Sequence, residues 1–141
     1  MIQFTVYGIP KPKARARVVT HHGNTRAFTP DTTASWEDSV RAQALAHRPE
    51  RLLDGPLRAT LLFWLPKPKS KKNDALPDTK PDLDNLSKSI FDALEGLIYT
   101  NDSRFVAKRL SKEYAIDCSP GVMVCISEVT PHAPADTRSS E

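Results

Sequence analysis

Cysteine is scarce in this chain: Cys118 and Cys125 are the only two in 141 residues, too few for a disulfide framework. Their spacing relative to the four histidines matches no zinc pattern, which leaves them a structural or inert role. Long apolar runs are missing too; a stretch such as Ala59 to Leu65 falls far short of a bilayer span. The opening Met1-Ile2-Gln3-Phe4 lacks a basic region leading into an apolar core and a small-residue cleavage site, so the expected compartment is the cytoplasm. Acidic residues are absent from the first thirty positions, which hold Lys11, Lys13, Arg15, Arg17 and Arg26. That end is expected to face an anion, with a solvated basic loop as the plainer alternative.

The remaining composition, 39% hydrophobic and 26% charged, is that of a globular protein, and the length suits one domain with a real core. Residues 1–130 read as that domain and 131–141 as a disordered tail. Ile2 to Tyr7 alternates apolar and polar residues as a half-buried strand does. From there to Phe28 no period is sustained, which predicts a long basic loop. Thr29-Pro30-Asp31 signals a helix start, with Trp36, Val40, Ala44 and Leu45 on one side and Pro49 beyond the end. Leu57 to Leu65, between Gly55-Pro56 and Pro66, predicts a buried strand. The lysine-rich segment after it, with Lys67, Lys69, Lys71 and Lys72, predicts a loop that reaches solvent or a polyanion.

Leu83, Leu86, Ile90, Ala93, Leu94 and Leu97 then recur at helical spacing, and Gly96 marks the end of that helix. Phe105 to Ile116 and Val122 to Val129 read as strands, joined through Ser119-Pro120-Gly121 as a hairpin. The fold class expected is α+β, a two-layer arrangement of a small mixed sheet of about four strands with two main helices.

Asp82, Asp84 and Lys88 stand at the mouth of the second helix. One explanation is capping: an N-cap aspartate with a second acid in the helix dipole stabilises by about 1 to 2 kcal/mol. Lys88 would then be an exposed i,i+4 partner of Asp84 or Asp92, worth a few tenths of a kcal/mol. The other explanation is chemistry on phosphate. Two carboxylates about 4 Å apart repel by roughly 4 kcal/mol at an effective dielectric near 20, and a divalent cation removes that conflict. Convergence favours the second: two aspartates, a lysine one turn inward, Asp102 after the helix, and basic loops on either side.

The run Asp82-Leu83-Asp84-Asn85-Leu86-x-Lys88-x-x-Phe91-Asp92-Ala93-Leu94, then Gly96 and Asp102, resembles the signature of RusA-type Holliday junction resolvases, especially their phage and prophage branch. The resemblance extends to Lys13-Ala14-Arg15-Ala16-Arg17 and to Phe28-Thr29-Pro30 with Trp36-Glu37, and covers most of the chain to about Val129. It implies a homodimeric, bacterial or phage-encoded endonuclease that cuts four-way DNA junctions in recombination and repair. It further implies magnesium, replaceable by manganese, held by Asp82, Asp84 and Asp102, with Lys88 as catalytic lysine. Relatives often carry two adjacent acids where this chain has Asn101-Asp102, and glutamine where it has Arg104. The basic element lacks the glycine and proline common between its charges.

Lys11, Lys13, Arg15, Arg17, Arg26, Lys67, Lys69, Lys71 and Lys72 are the expected DNA contacts. Three rival readings remain at this level: a non-catalytic DNA-binding module in which the aspartates merely cap, a metal-dependent nuclease directed at flaps, other branched DNA or single strands, and a structural or protein-interaction domain that retains a degenerate nuclease fold.

Overall fold

The computed structural model describes residues 1–14, 17–21, 24–28 and 31–130, with the backbone alone for 17–21, 24–28 and residue 31. Arg15 and the tail from 131 lie outside the described residues, and Arg17 and Arg26 are placed by backbone only. The elements run β1 (Ile2–Tyr7), β2 (Arg17–His21), β3 (Asn24–Phe28), α1 (Asp31–Ala44), β4 (Leu57–Leu65), α2 (Leu83–Leu94), β5 (Phe105–Tyr114) and β6 (Gly121–Glu128). Four strands form one mixed sheet in the order β1-β6-β4-β5, and α1 and α2 make the second layer, as the α+β expectation required.

The core lies between these layers because each element presents one apolar face. Leu57, Ala59, Leu61, Phe63 and Leu65 alternate along β4 and are buried, as are Val122, Val124 and Ile126 on β6 and Phe4 and Val6 on β1. Trp36, Val40 and Ala44 of α1 meet Leu86, Ile90, Ala93 and Leu94 of α2 in the same cluster. Leu45, expected in that stripe, is half exposed, because the chain tightens into a 3-10 turn over Leu45–His47 and rotates it off the apolar side. Each fully buried aliphatic or aromatic side chain contributes about 1.5 to 3 kcal/mol, so the sheet-facing stripe of α2 fixes where its polar face points.

Two expectations are corrected. The basic segment before Phe28 is not one long loop: β2 and β3 pair antiparallel, from Arg17 opposite Phe28 to His21 opposite Asn24, as a separate two-stranded sheet. Val18, Val19 and Thr20 supply the β-branched residues, yet this ribbon belongs to no larger sheet and so carries no long apolar alternation. Nor do β5 and β6 form a hairpin. β4 lies between them, parallel to β5 and antiparallel to β6. With its inner face wholly apolar, β4 takes the centre, while β5, carrying Lys108, Arg109, Lys112 and Glu113, has the charge expected of an edge strand. The Pro120 carbonyl accepts from Gly8 N–H (3.1 Å) and links the connection to β1 instead of closing a tight turn.

Candidate active site

Asp82 stands at the N-cap of α2, its backbone extended (φ −72°, ψ 145°), and its side chain makes no capping hydrogen bond. The capping explanation of Asp82 therefore does not hold. Asp84 sits in the first turn, where the helix dipole favours its charge, and its carbonyl accepts from Ser87 Oγ (3.0 Å). Among the described residues neither carboxylate has a hydrogen-bond or ion-pair partner, and both residues are exposed.

Asp102 arrives from the other end of the helix. Its backbone N–H donates to Glu95 Oε1 (2.8 Å) and its carbonyl accepts from Phe105 N–H at the close of a 3-10 turn, Asp102–Arg104. Asn101 caps that turn by accepting from Ser103 N–H (2.8 Å). Asp54 anchors the same loop, accepting from the Thr100 hydroxyl and from Arg104 Nε (3.1 Å). The Thr100 hydrogen bond, then the Arg104 cation, hold the Asp54 carboxyl below the usual carboxylate range. Asn101 and Arg104, two of the departures from the resolvase pattern, thus both work in holding the loop that presents Asp102.

Asp84 and Asp102 line one cavity of about 240 Å³, together with Ser87, Lys88, Phe91, Asp92, Lys108 and Leu110. Asp82 lines a different recess, with Lys11, Lys80 and Asn85. So the structure brings together Asp84, Asp102 and Lys88 and leaves Asp82 outside their lining. Among the described residues no three acidic, histidine or cysteine side chains stand close enough to hold an ion by themselves. An oxygen-donor pair such as Asp84 and Asp102 nonetheless fits a hard divalent cation, since magnesium keeps several waters and takes one or two carboxylates plus phosphate oxygens.

From the cavity wall runs a chain of charges of which the sequence foreshadowed the Lys88–Asp92 pair but not its extension to Lys13 and Glu37. Lys88 Nζ lies 3.6 Å from Asp92 Oδ1, the i,i+4 pair, and Lys13 Nζ lies 3.2 Å from Asp92 Oδ2 and 2.8 Å from Glu37 Oε2 on α1. Burial of the Lys13 ammonium opposes its charge, but hydrogen bonds and Coulombic attraction from Glu37 and Asp92 outweigh it and raise its pKa above the ordinary value. Since the folded-state pKa is the higher one, this contribution is complete at neutral pH and is lost only as alkaline pH passes through the raised value. Lys13, expected to meet phosphate, is thus engaged inside the fold, and its N–H also donates to the Asn85 carbonyl (2.8 Å). The root of the basic ribbon is thereby pinned beside α2. Of the lysines after β4, Lys67 donates to the Pro68 and Lys71 carbonyls, whereas Lys69, Lys71 and Lys72 are exposed.

These elements match a known family. A family described as Endodeoxyribonuclease RusA matches residues 8–127. The chain belongs to the RusA endodeoxyribonuclease family. It is also similar to the uncharacterized protein YqaN of Bacillus subtilis (strain 168), at 36% identity over 140 residues, covering 92% of this chain and 97% of that protein. The matched span takes in the ribbon, α2, the Asp102 loop and β5, so every residue lining the cavity of Asp84 and Asp102 lies within it.

Lys112 on β5, given no role by its place in the sequence, acquires one in the fold. Its ammonium donates to the Thr79 carbonyl (2.7 Å) and the Pro81 carbonyl (2.8 Å), holding the segment that delivers Asp82 to the helix start. Lys112→Met should therefore leave two carbonyls without their charged donor and destabilise the domain by about 1.5 to 3 kcal/mol, read as a lower denaturant midpoint. An unchanged midpoint would show that water replaces the ammonium there at no loss.

Proposed function

We propose that this chain is a divalent-metal-dependent endonuclease that resolves four-way DNA junctions by paired, symmetric nicks, working as a homodimer in recombination and repair in the cytoplasm. The observation that carries the reading is the pair Asp84 and Asp102, from two separate elements, facing one cavity with Lys88. Magnesium or manganese, when bound, would supply Lewis acidity toward the phosphoryl oxygen and a water acidic enough to attack near neutral pH. Asp84 and Asp102 would hold the ion, with Asp82 as a third carboxylate brought in from two residues before Asp84. Lys88 donates to the phosphate as negative charge builds on it, and its Asp92 partner keeps the ammonium on that face of α2.

Lys11, Lys69, Lys71 and Lys72, with the arginines of the basic ribbon, follow the DNA backbone and set position without reading sequence. A four-way junction has approximate two-fold symmetry, so a dimer whose two sites obey the same symmetry selects it over linear duplex. Cleavage of a synthetic four-way junction, a flap, a duplex and a single strand, side by side with magnesium, manganese or chelator, tests the whole reading. Symmetric nicks in the junction alone, abolished by chelator, are the expected result. Equal cutting of the flap would favour the broader branched-DNA nuclease, and metal-independent binding without nicking would favour a DNA-binding module.

A further inference from the structure

We propose that Lys108 is a second cation for the scissile phosphate, placed across the cavity from Lys88 and contacting a phosphate oxygen directly; this rests on the nuclease reading of the cavity. Lys88 projects from α2 and Lys108 from β5, and both line the space that Asp84 and Asp102 face. Their charges are in different states. Lys88 already has a carboxylate partner in Asp92, and Asp92 is in turn shared with Lys13. Lys108 has no carboxylate within ion-pair distance among the described residues, and its ammonium sits 4.0 Å from the centroid of the Phe91 ring and 5.6 Å from that of Phe105.

Those rings form a fixed platform. Phe91 is buried, its ring lies 5.0 Å from Phe105, and Phe105 meets the edge of buried Tyr99 at 4.8 Å. A cation held over an aromatic face keeps its N–H donors available, because the ring attracts the charge without accepting hydrogen bonds from all of them. Lys108 is thus restrained in position, unneutralised, and beside two carboxylates that themselves lack partners. A phosphodiester bridged to those carboxylates through a cation is the anion that such a lysine would complete, by donating to an oxygen the metal does not take.

The test uses the full chain with three variants, Lys108→Met, Lys108→Gln and Lys108→Arg, measured for melting midpoint, single-turnover junction nicking and the salt dependence of junction binding. Methionine keeps the stem over Phe91 and removes only the charge; glutamine serves the same comparison should methionine fail to fold. The expected result is a loss of nicking of about 100-fold at an unaltered midpoint, a log–log salt slope shallower by about one, and substantial recovery with arginine. Wild-type nicking and an unchanged slope in a folded neutral variant would overturn the proposal, as would a loss that arginine fails to recover. If Asp84→Asn and Asp102→Asn both nick normally, it is the nuclease reading of the cavity that fails, whatever Lys108 does.

Discussion

Asparagine in place of Asp84 or Asp102 is expected to abolish junction nicking, with a fall in single-turnover rate of about a thousandfold or more, while junction binding survives. The amide preserves size and one oxygen but removes the charge that draws a hard cation. Metal stabilisation of a phosphoryl transition state amounts to several kcal/mol, and each ~1.4 kcal/mol is tenfold in rate. Neither carboxylate has a protein partner among the described residues, so little native structure is disturbed and melting should be nearly unchanged. Binding should hold or tighten, because a negative charge beside the DNA backbone has gone. Asp82→Asn is expected to fall in the same class, its carboxylate being uncapped. Intact nicking in that variant alone would remove Asp82 from the ligand set and leave the other two. Intact nicking in all three would reduce the aspartates to surface acids.

Gly121→Ala should be the most damaging small substitution in the sheet. A Cβ there would stand 2.4 Å from the Val6 carbonyl oxygen and 3.3 Å from Tyr7 Cα, both main-chain atoms that cannot rotate away. Gly121 pairs with Tyr7 on β1 and with Trp64 on β4, so relief on one side strains the other. Overpacking of this kind destabilises by about 3 kcal/mol, which for a domain of this size lowers the melting midpoint by about 10 °C. Calorimetry or far-ultraviolet circular dichroism reads it directly, and a midpoint within a degree or two of wild type would mean that β1 and β6 separate there without penalty.

Much of the fold was legible because its punctuation is local. Gly55-Pro56 and Pro66 bracket β4, and its bounds, Leu57–Leu65, coincide with the apolar run. The stripe of α2 was equally clear, with Leu86, Ile90, Ala93 and Leu94 buried as their spacing required. Pairing was not legible, since no residue of β5 or β6 records that β4 will come between them; that follows from which strand has the most apolar surface to hide. The site divided along the same line. Asp82, Asp84 and Lys88 cluster in sequence, and resemblance added Asp102. Lys13, Lys108 and Lys112 took on roles only through partners far along the chain: Asp92, Phe91 and the Thr79 and Pro81 carbonyls. A lysine on an exposed edge strand looks the same in sequence whether it is idle or not.

The sheet order has a consequence for how the chain is made. Among the described residues β1 has one sheet neighbour, β6, 120 residues later by the Phe4 to Val124 pairing, and β4 must wait for both β5 and β6. On the ribosome, then, the first strand emerges long before it has anything to bond with, and the acidic helix mouth and its loop are synthesised before the sheet beneath them is closed. Nearly the whole polypeptide has to be translated before an intact nuclease surface exists, so premature termination ahead of Gly121 should yield an aggregating fragment that is degraded, not a partly active enzyme.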